Sequence, residues 1–488
     1  MVKSTGKPLM DDGREVTAER TFTPTEADGE VELAFTFNAK ALVGEKIVAF
    51  ESVLFEGEEI AAHADIEDED QTVEVVPIEI RTQAKDKVDN DQTISAIPEM
   101  TIIDTVEYSR LHVGWTYTVK GILMDKSTGE PLLVDGKEVT GEAKFVPEAE
   151  QGTVDVEFTF DASDFANQEL VVFEELYFED ELIAEHKDID DKGQTVEVVP
   201  VEIGTKASDM MDGDKKICAD EDVTVIDTVS YKNLVPGRTY TVSGILMDKA
   251  TGEALLVDGR TVTSELTFVA ERADGEVGLT YTFDASALAG KTIVVFEKLL
   301  YDGGEIATHA DIEDIDQSVE IVPPEIIRTM AKNKADGSKE IIAKGEITIV
   351  DMVSYKNLIP GREYTVSGIL MDKSTQKPFL VGGKEITAEA IFVPEAEDGT
   401  VAVEFTFDAA GLGDMDLVVF EKLFNINGKE IAAHEDIEDV GQTVHLKKAI
   451  VPDTPKTGDG GYPYIPIVLC MISACAMCFL GQRNKKKE

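Results

Sequence analysis

The sequence predicts an all-β protein built from tandem antiparallel β-sandwich repeats, and three observations carry that prediction. Segments such as Thr153-Val154-Asp155-Val156-Glu157-Phe158-Thr159-Phe160 alternate polar and apolar residues with period two, as strands buried on one face do. Asp135-Gly136, Asp258-Gly259 and Gly382-Gly383 punctuate the pattern where hairpin turns are needed. The pattern also recurs at domain length. Val48-Ala49-Phe50-Glu51 returns as Val171-Val172-Phe173-Glu174, Val294-Val295-Phe296-Glu297 and Val418-Val419-Phe420-Glu421. Gln71, Gln194, Gln317 and Gln442 follow at intervals of 123, 123 and 125 residues, too long for the unit of a solenoid. No segment of helical length shows a 3.6-residue period.

The elements follow in order along the 488 residues. Residues 1–79 begin inside a repeat, because Met1-Val2-Lys3-Ser4-Thr5-Gly6 aligns with Met124-Asp125-Lys126-Ser127-Thr128-Gly129 of the next one. That first repeat is expected to lack its opening strands, to fold poorly, and to mark an N-terminally truncated product of a longer gene. Truncation also accounts for a start with no apolar secretory segment. Full repeats span 80–200, 201–323 and 324–447. Pro77-Ile78-Glu79-Ile80, Pro200-Val201-Glu202-Ile203 and Pro323-Pro324-Glu325-Ile326 join them as short, proline-stiffened connectors that, with mutual charge repulsion, favour an extended rod. A linker (448–461), an uncharged run long enough to cross a bilayer as a helix (462–481) and a basic tail (482–488) complete the chain.

Composition excludes several classes of function. Lys and Arg total 45 against 97 Asp and Glu, a net charge of −52 that nucleic acid would repel. At 43% hydrophobic the chain is too apolar for an acidic disordered segment. Of the four cysteines, Cys218 stands alone and Cys470, Cys475 and Cys478 share the apolar run. This is neither a disulfide framework nor a zinc-ligand spacing. Acidic clusters such as Asp65-Ile66-Glu67-Asp68-Glu69-Asp70 lack the alternation and glycine of a calcium loop and read as solvated. No cofactor or metal is expected.

A set of polar residues recurs inside the apolar pattern. Thr82, Thr205 and Thr329 open each full repeat in Thr-x-Ala, and Asp104, Asp227 and Asp351 follow in Asp-Thr-Val-x-Tyr or its Met352 variant. Glu174, Glu297 and Glu421 end the Val-Val-Phe-Glu runs. His186, His309 and His434 then precede Gln194, Gln317 and Gln442 in His-x-Asp-x-x-Asp-x-x-Gln. A carboxylate in a strand that reads as buried is costly unless paired or protonated, and two carboxyls sharing a site hold one proton between them. The bland alternatives are a satisfied structural carboxylate and a capped loop histidine. The first repeat keeps Glu51, His63 and Gln71 alone.

At these residues the chain resembles the VaFE-repeat, or Thr–Gln ester-bond, domains of Gram-positive surface proteins, over nearly all of its length to Lys447. The resemblance implies Ig-like sandwiches that cross-link their own first and last strands. The hydroxyls of Thr82, Thr205 and Thr329 would attack the carboxamides of Gln194, Gln317 and Gln442, releasing ammonia. Asp104 with Glu174, Asp227 with Glu297 and Asp351 with Glu421 would be the proton-sharing pairs, and His186, His309 and His434 would assist proton transfer. Each reaction occurs once, so it is maturation and not enzymatic turnover. A Lys–Asn isopeptide link is the chemical rival, but the terminal motif offers Gln.

The C-terminal order of Thr454-Pro455-Lys456-Thr457-Gly458, apolar run and basic tail resembles the LPxTG-type sorting signal of Gram-positive cell-wall proteins, with Thr454 in the Leu place. That resemblance implies sortase cleavage between Thr457 and Gly458, covalent attachment to peptidoglycan, and a membrane-spanning precursor. Together the two resemblances lead us to expect a wall-anchored stalk of an adhesin at the cell surface, with a host surface ligand held by a more N-terminal region. Direct ligand binding by the repeats, or a pilin-like shaft, are the rival expectations.

Overall fold

Period-two alternation becomes strand wherever a partner strand exists to satisfy its backbone. The computed structural model describes residues 1–450. The sorting pentapeptide Thr454–Gly458, the apolar run 462–481 and the basic tail lie outside the described residues. Among the described residues no helix is long and apolar enough to cross a membrane, and the helical segments are two single 3₁₀ turns, Lys40–Leu42 and Ser163–Phe165.

The first full repeat serves for all three. Its principal strands are β1 (Glu79–Asp86), β2 (Thr93–Ser95), β3 (Met100–Ser109), β4 (Tyr117–Asp125), β5 (Thr140–Phe145), β6 (Gly152–Phe160), β7 (Glu169–Phe178), β8 (Glu181–His186) and β9 (Thr195–Val199). One sheet is three-stranded in the order β6-β3-β1. The other runs β4-β7-β9-β2, with β5 added on β4 and β8 on β7. Pairing is antiparallel except for β2 on β9, where Thr93–Ser95 lie parallel to Glu197–Val199. The hairpin at Asp135-Gly136 takes positive φ at both residues (51° and 74°), as do Asp258-Gly259 and Gly382-Gly383. A two-residue turn needs that conformation to follow the strand twist.

The sheets close on a core that includes Ile102, Val106, Leu123, Phe158, Val172, Leu176, Val196 and Val198. Strand β3 shows the logic: Ile102, Asp104, Val106 and Tyr108 face inward, while Ile103, Thr105 and Glu107 do not. Each large aliphatic side chain withdrawn from water contributes about 1.5–3 kcal/mol. The core continues without a break into the next repeat through Val201, and Ile359 of the last repeat packs against it. Ala331 to Leu446 form the separate core of that last repeat.

Residues 1–75 show the effect of missing partners. Lys46–Val48 pairs with Thr72–Glu74, and Glu51–Phe55 with Glu58–His63. Val16–Asn38 carries no strand, although its counterpart in the next repeat holds β5 and β6. Those strands pair with β4 and β3, and residues 1–75 contain no full equivalent of either. Leu54, Phe55, Ile60 and Val73 are accordingly exposed.

Two residues separate the last strand of one full repeat from the first strand of the next, Pro200-Val201 and Pro323-Pro324. Across the first of these joints Arg238 donates to Pro98 O (3.0 Å) and Glu99 O (2.5 Å) and lies over the Tyr301 ring. Across the second, Arg362 donates to Glu221 O (2.6 Å), Asp222 O (3.2 Å) and the buried Asp220 carboxylate (3.3 Å). Asn425 Nδ2 takes the other Asp220 oxygen at 3.0 Å. Trp115 occupies the corresponding place in the first full repeat, where it stacks on Phe178 with ring centroids 4.8 Å apart.

Candidate functional site

The recurring polar set converges at one place in each full repeat, inside the sandwich. Thr82 on β1 is opposite Val106, and Ala84 is opposite Asp104. Thr82 and Asp104 are therefore diagonal neighbours on one face of the three-stranded sheet. On the facing sheet, β7 carries Glu174 opposite His186 of β8 and Gly121 of β4. Gln194 immediately precedes β9. Asp104, Glu174 and Gln194 are fully buried, as are their counterparts Asp227, Glu297 and Gln317, and Asp351, Glu421 and Gln442.

The glutamine carboxamide lies between hydroxyl and carboxyl. Gln317 Nε2 donates to Thr205 Oγ1 at 2.5 Å and to Glu297 Oε2 at 2.6 Å. Gln194 Nε2 likewise donates to Thr82 Oγ1, and to Glu174 Oε2 at 2.6 Å. In the last repeat Gln442 Nε2 donates to Glu421 Oε2, while Thr329 Oγ1 is buried without a partner. A one-residue bulge between Ile326 and Arg328 precedes that threonine. In residues 1–75, Gln71 Nε2 donates to Glu51 Oε2 at 2.5 Å, but no threonine or aspartate completes the set.

Both oxygens of Asp104, Asp227 and Asp351 are buried without a donor, together with Oε1 of each paired glutamate and each glutamine. Leaving buried acceptors unmet costs about 1–3 kcal/mol each, more when charged, so a proton held by each carboxyl pair relieves the largest part of that cost. Burial raises the Glu174 carboxyl well above the usual range, and the neighbouring Asp104 raises it further. Glu297 and Glu421 are raised by burial and by Asp227 and Asp351 in the same way. Burial also raises each aspartate, but the bond to the glutamate pulls it back. Each buried pair therefore shares one proton between its two carboxyls.

The histidines sit at the rim. His186 Nε2 bonds Asp191 Oδ2 at 2.8 Å, His309 bonds Asp314 at 2.9 Å and His434 bonds Asp439 at 3.0 Å. Among the described residues this is the only side-chain hydrogen bond each of them makes. The aspartates were not among the expected site residues, although the second Asp of His-x-Asp-x-x-Asp-x-x-Gln marks them. Each also holds the turn before the glutamine, as when Asp191 Oδ1 accepts from Gly193 N at 2.7 Å. The sequence reasoning also missed Gly121, Gly244 and Gly368, which pair with the buried glutamates. A Cβ on Gly121 would lie 2.4 Å from the Phe158 ring, and one on Gly368 2.5 Å from Phe405. Glycine in a strand interior was the available signal. In the middle repeat Tyr281 replaces those phenylalanines, and its hydroxyl is buried without a partner.

The acidic clusters satisfy local backbone. Asp65 and Asp68 carboxylates accept from Glu67 N and Asp70 N. Away from the buried polar set, carboxylate oxygens of Asp212, Asp214 and Glu397 from successive repeats lie within 4.8 Å of one another. Partial burial and the two aspartates push Glu397 up to about 7.

No curated protein matches the chain. Among solved structures, it is similar to an adhesin from Mobiluncus mulieris with intramolecular disulfide, isopeptide and ester cross-links. That match has 16% identity and a TM-score of 0.23, and covers 46% of this chain and 80% of the other. It is also similar to the C-terminal domain of the AgI/II polypeptide BspA from Streptococcus agalactiae, at 10% identity and a TM-score of 0.25, covering 47% of this chain and 98% of that one. The family model described as "T-Q ester bond containing domain" matches residues 1–75, 78–198, 201–321 and 325–446. With four successive matches spanning most of its length, the chain belongs to the T-Q ester bond domain family.

Proposed function

We propose that each full repeat closes an ester between its first and last strands, and that the repeats form the stalk of a wall-anchored Gram-positive adhesin. The observation that carries the ester is the buried carboxamide of Gln317 held between Thr205 Oγ1 and Glu297 Oε2. Asp227 takes the Thr205 hydroxyl proton as Oγ1 adds to the Gln317 side-chain carbonyl carbon. Glu297 gives its proton to the departing nitrogen, the C–N bond breaks, and ammonia leaves. The carboxyl pair ends with one proton, as it began. Fixing both reactants in a dry site supplies the orientation that an unreactive amide needs. Thr82 with Gln194 and Thr329 with Gln442 are the corresponding pairs, served by Asp104 with Glu174 and Asp351 with Glu421. His186, His309 and His434, each held by an aspartate, assist proton transfer from the rim.

Closing the 112 residues between Thr82 and Gln194 restricts the unfolded chain by about 4–5 kcal/mol, on analogy with a disulfide spanning a loop of that size. Sulfur-free staples suit an extracellular chain whose cysteines form no framework. The order of Thr454–Gly458, apolar run and basic tail supports sortase processing and attachment to peptidoglycan. Intact-mass measurement of the purified chain tests the ester. The expected mass is short by one ammonia for each of three full repeats, and Thr205→Ala restores one. An unshifted mass sinks the proposal.

A further inference from the structure

Ten residues after each cross-linking threonine stands a polar side chain that reaches the same turn in every full repeat: Gln92, Lys215 or Lys339. Each immediately precedes the short strand that runs parallel to the last strand of its repeat, which brings it beside the turn that delivers the glutamine. Lys215 Nζ donates to Asp316 O, the carbonyl directly before Gln317, and to Ala207 O, two residues beyond Thr205, both at 2.5 Å. Lys339 Nζ donates to Gly441 O, directly before Gln442. Gln92 Nε2 reaches Gly193 O at 3.2 Å, with Lys192 O and Thr195 O at 2.7 and 2.8 Å. The carbonyl before the glutamine also accepts the N–H of Ala84, Ala207 or Ala331, which joins the threonine strand to the glutamine turn.

We propose that Lys215 and Lys339 are positioning residues that hold the glutamine turn, Lys215 also tying it to the threonine strand, and that both place a positive charge toward Asp227 and Asp351. Gln92 holds the same turn without the charge. The inference rests on the ester-forming reading above. Ala207, whose carbonyl Lys215 bonds, is the register partner of Asp227, and Ala331, whose N–H shares Gly441 O with Lys339, is the register partner of Asp351. The charged and titratable groups beside Asp227 include Glu297, Lys215, His309 and the Tyr281 hydroxyl. Those acting on Asp351 are Glu421, Lys339 and His434. Asp104 has Glu174, His186 and Asp155, with no lysine among them. Lysine therefore favours the ionised aspartate, the form that accepts the threonine proton, in two repeats and not in the third. Cross-linking in the repeats at 201–321 and 325–446 should persist to lower pH than in the repeat at 78–198.

The test refolds the full chain from denaturant into buffers from acid to mildly alkaline pH, quenches at intervals, and follows ammonia loss in each repeat by peptide mass spectrometry. Lys215→Gln should move the acid limb of its own repeat up by about one pH unit, a tenfold loss of rate on that limb, and leave the alkaline plateau in place. Lys215→Arg should retain the wild-type limb. Gln92→Lys should move the limb of the first full repeat down, a gain that misfolding cannot mimic. A Lys215→Gln rate reduced by one factor at every pH, or a Gln92→Lys profile that does not move, overturns the assignment of charge. If no wild-type repeat loses ammonia, the ester reading fails and takes the inference with it. If the wild-type repeats cross-link with coincident limbs, the inference alone fails.

Discussion

Asp104 fills a slot between Ile102 and Val106 that the strand alternation reserves for an apolar side chain, and Asp227 and Asp351 do the same. A carboxylate there destabilises the fold, and a proton shared with the neighbouring glutamate is what makes it tolerable. The sign of the resulting pH dependence follows. Folding raises the Glu297 carboxyl above its ordinary value of 4.5, so the folded state binds the proton more tightly than the unfolded state. Stability is full below the ordinary value and falls as pH climbs toward the raised one. Thr205→Ala, which leaves the middle repeat unlinked, should melt at progressively lower temperature as pH rises through that range. Calorimetry of this variant against pH checks the slope, and a flat or rising profile contradicts the protonated pair. The threonines, acids and glutamines were legible because each is a polar residue recurring in an apolar context. Gly121 and Lys215 were not. A lysine before a three-residue strand looks like any solvated charge, and its partners are backbone carbonyls, which leave no mark on the sequence.

The same contrast holds for the strands. β6 could be read directly, because its alternation extends over 9 residues. The parallel contact of Thr93–Ser95 with the last strand could not, since three residues are too few to show a period and the partner lies about a hundred residues on. The joints were visible as prolines, while the arginine clasps across them were not, because Arg238 and Arg362 grip mostly main-chain oxygens. At the second clasp the Asp220 side chain is 1% exposed and answers to Arg362, Asn425 and Tyr364. Arg362→Ala leaves that carboxylate without its cation, at a cost of about 1–3 kcal/mol to the joint. We expect faster proteolysis at Pro323-Pro324 and a broader distribution of distances between probes on the last two repeats. The melting of each separate core should change little. Unaltered distances would mean that the clasp does not hold the joint.

Across the whole molecule, the number and spacing of the repeats were plain from the glutamine intervals. The continuity of one core through Pro200-Val201 was not foreseen. Nothing in the sequence says that neighbouring sandwiches share buried surface, because the residues doing so are ordinary core residues of each. The net charge of −52 spreads over domains that are already docked end to end, so repulsion and docking both favour the proposed stalk.

The short joints have a consequence for extension under load. With esters in place, only residues 195–204 lie between the bond at Gln194 and the bond at Thr205. Pulled taut, that segment yields ~35 Å, whereas the 112 residues behind each of the bonds at Gln194 and Gln317 would release ~380 Å if freed. Tension therefore meets a tether of nearly constant length. In single-molecule pulling the three full wild-type repeats should show no long unfolding steps, and Thr205→Ala should add one step of the larger size. A chain built this way gives up almost no hidden length, so a load at one end reaches the other undamped.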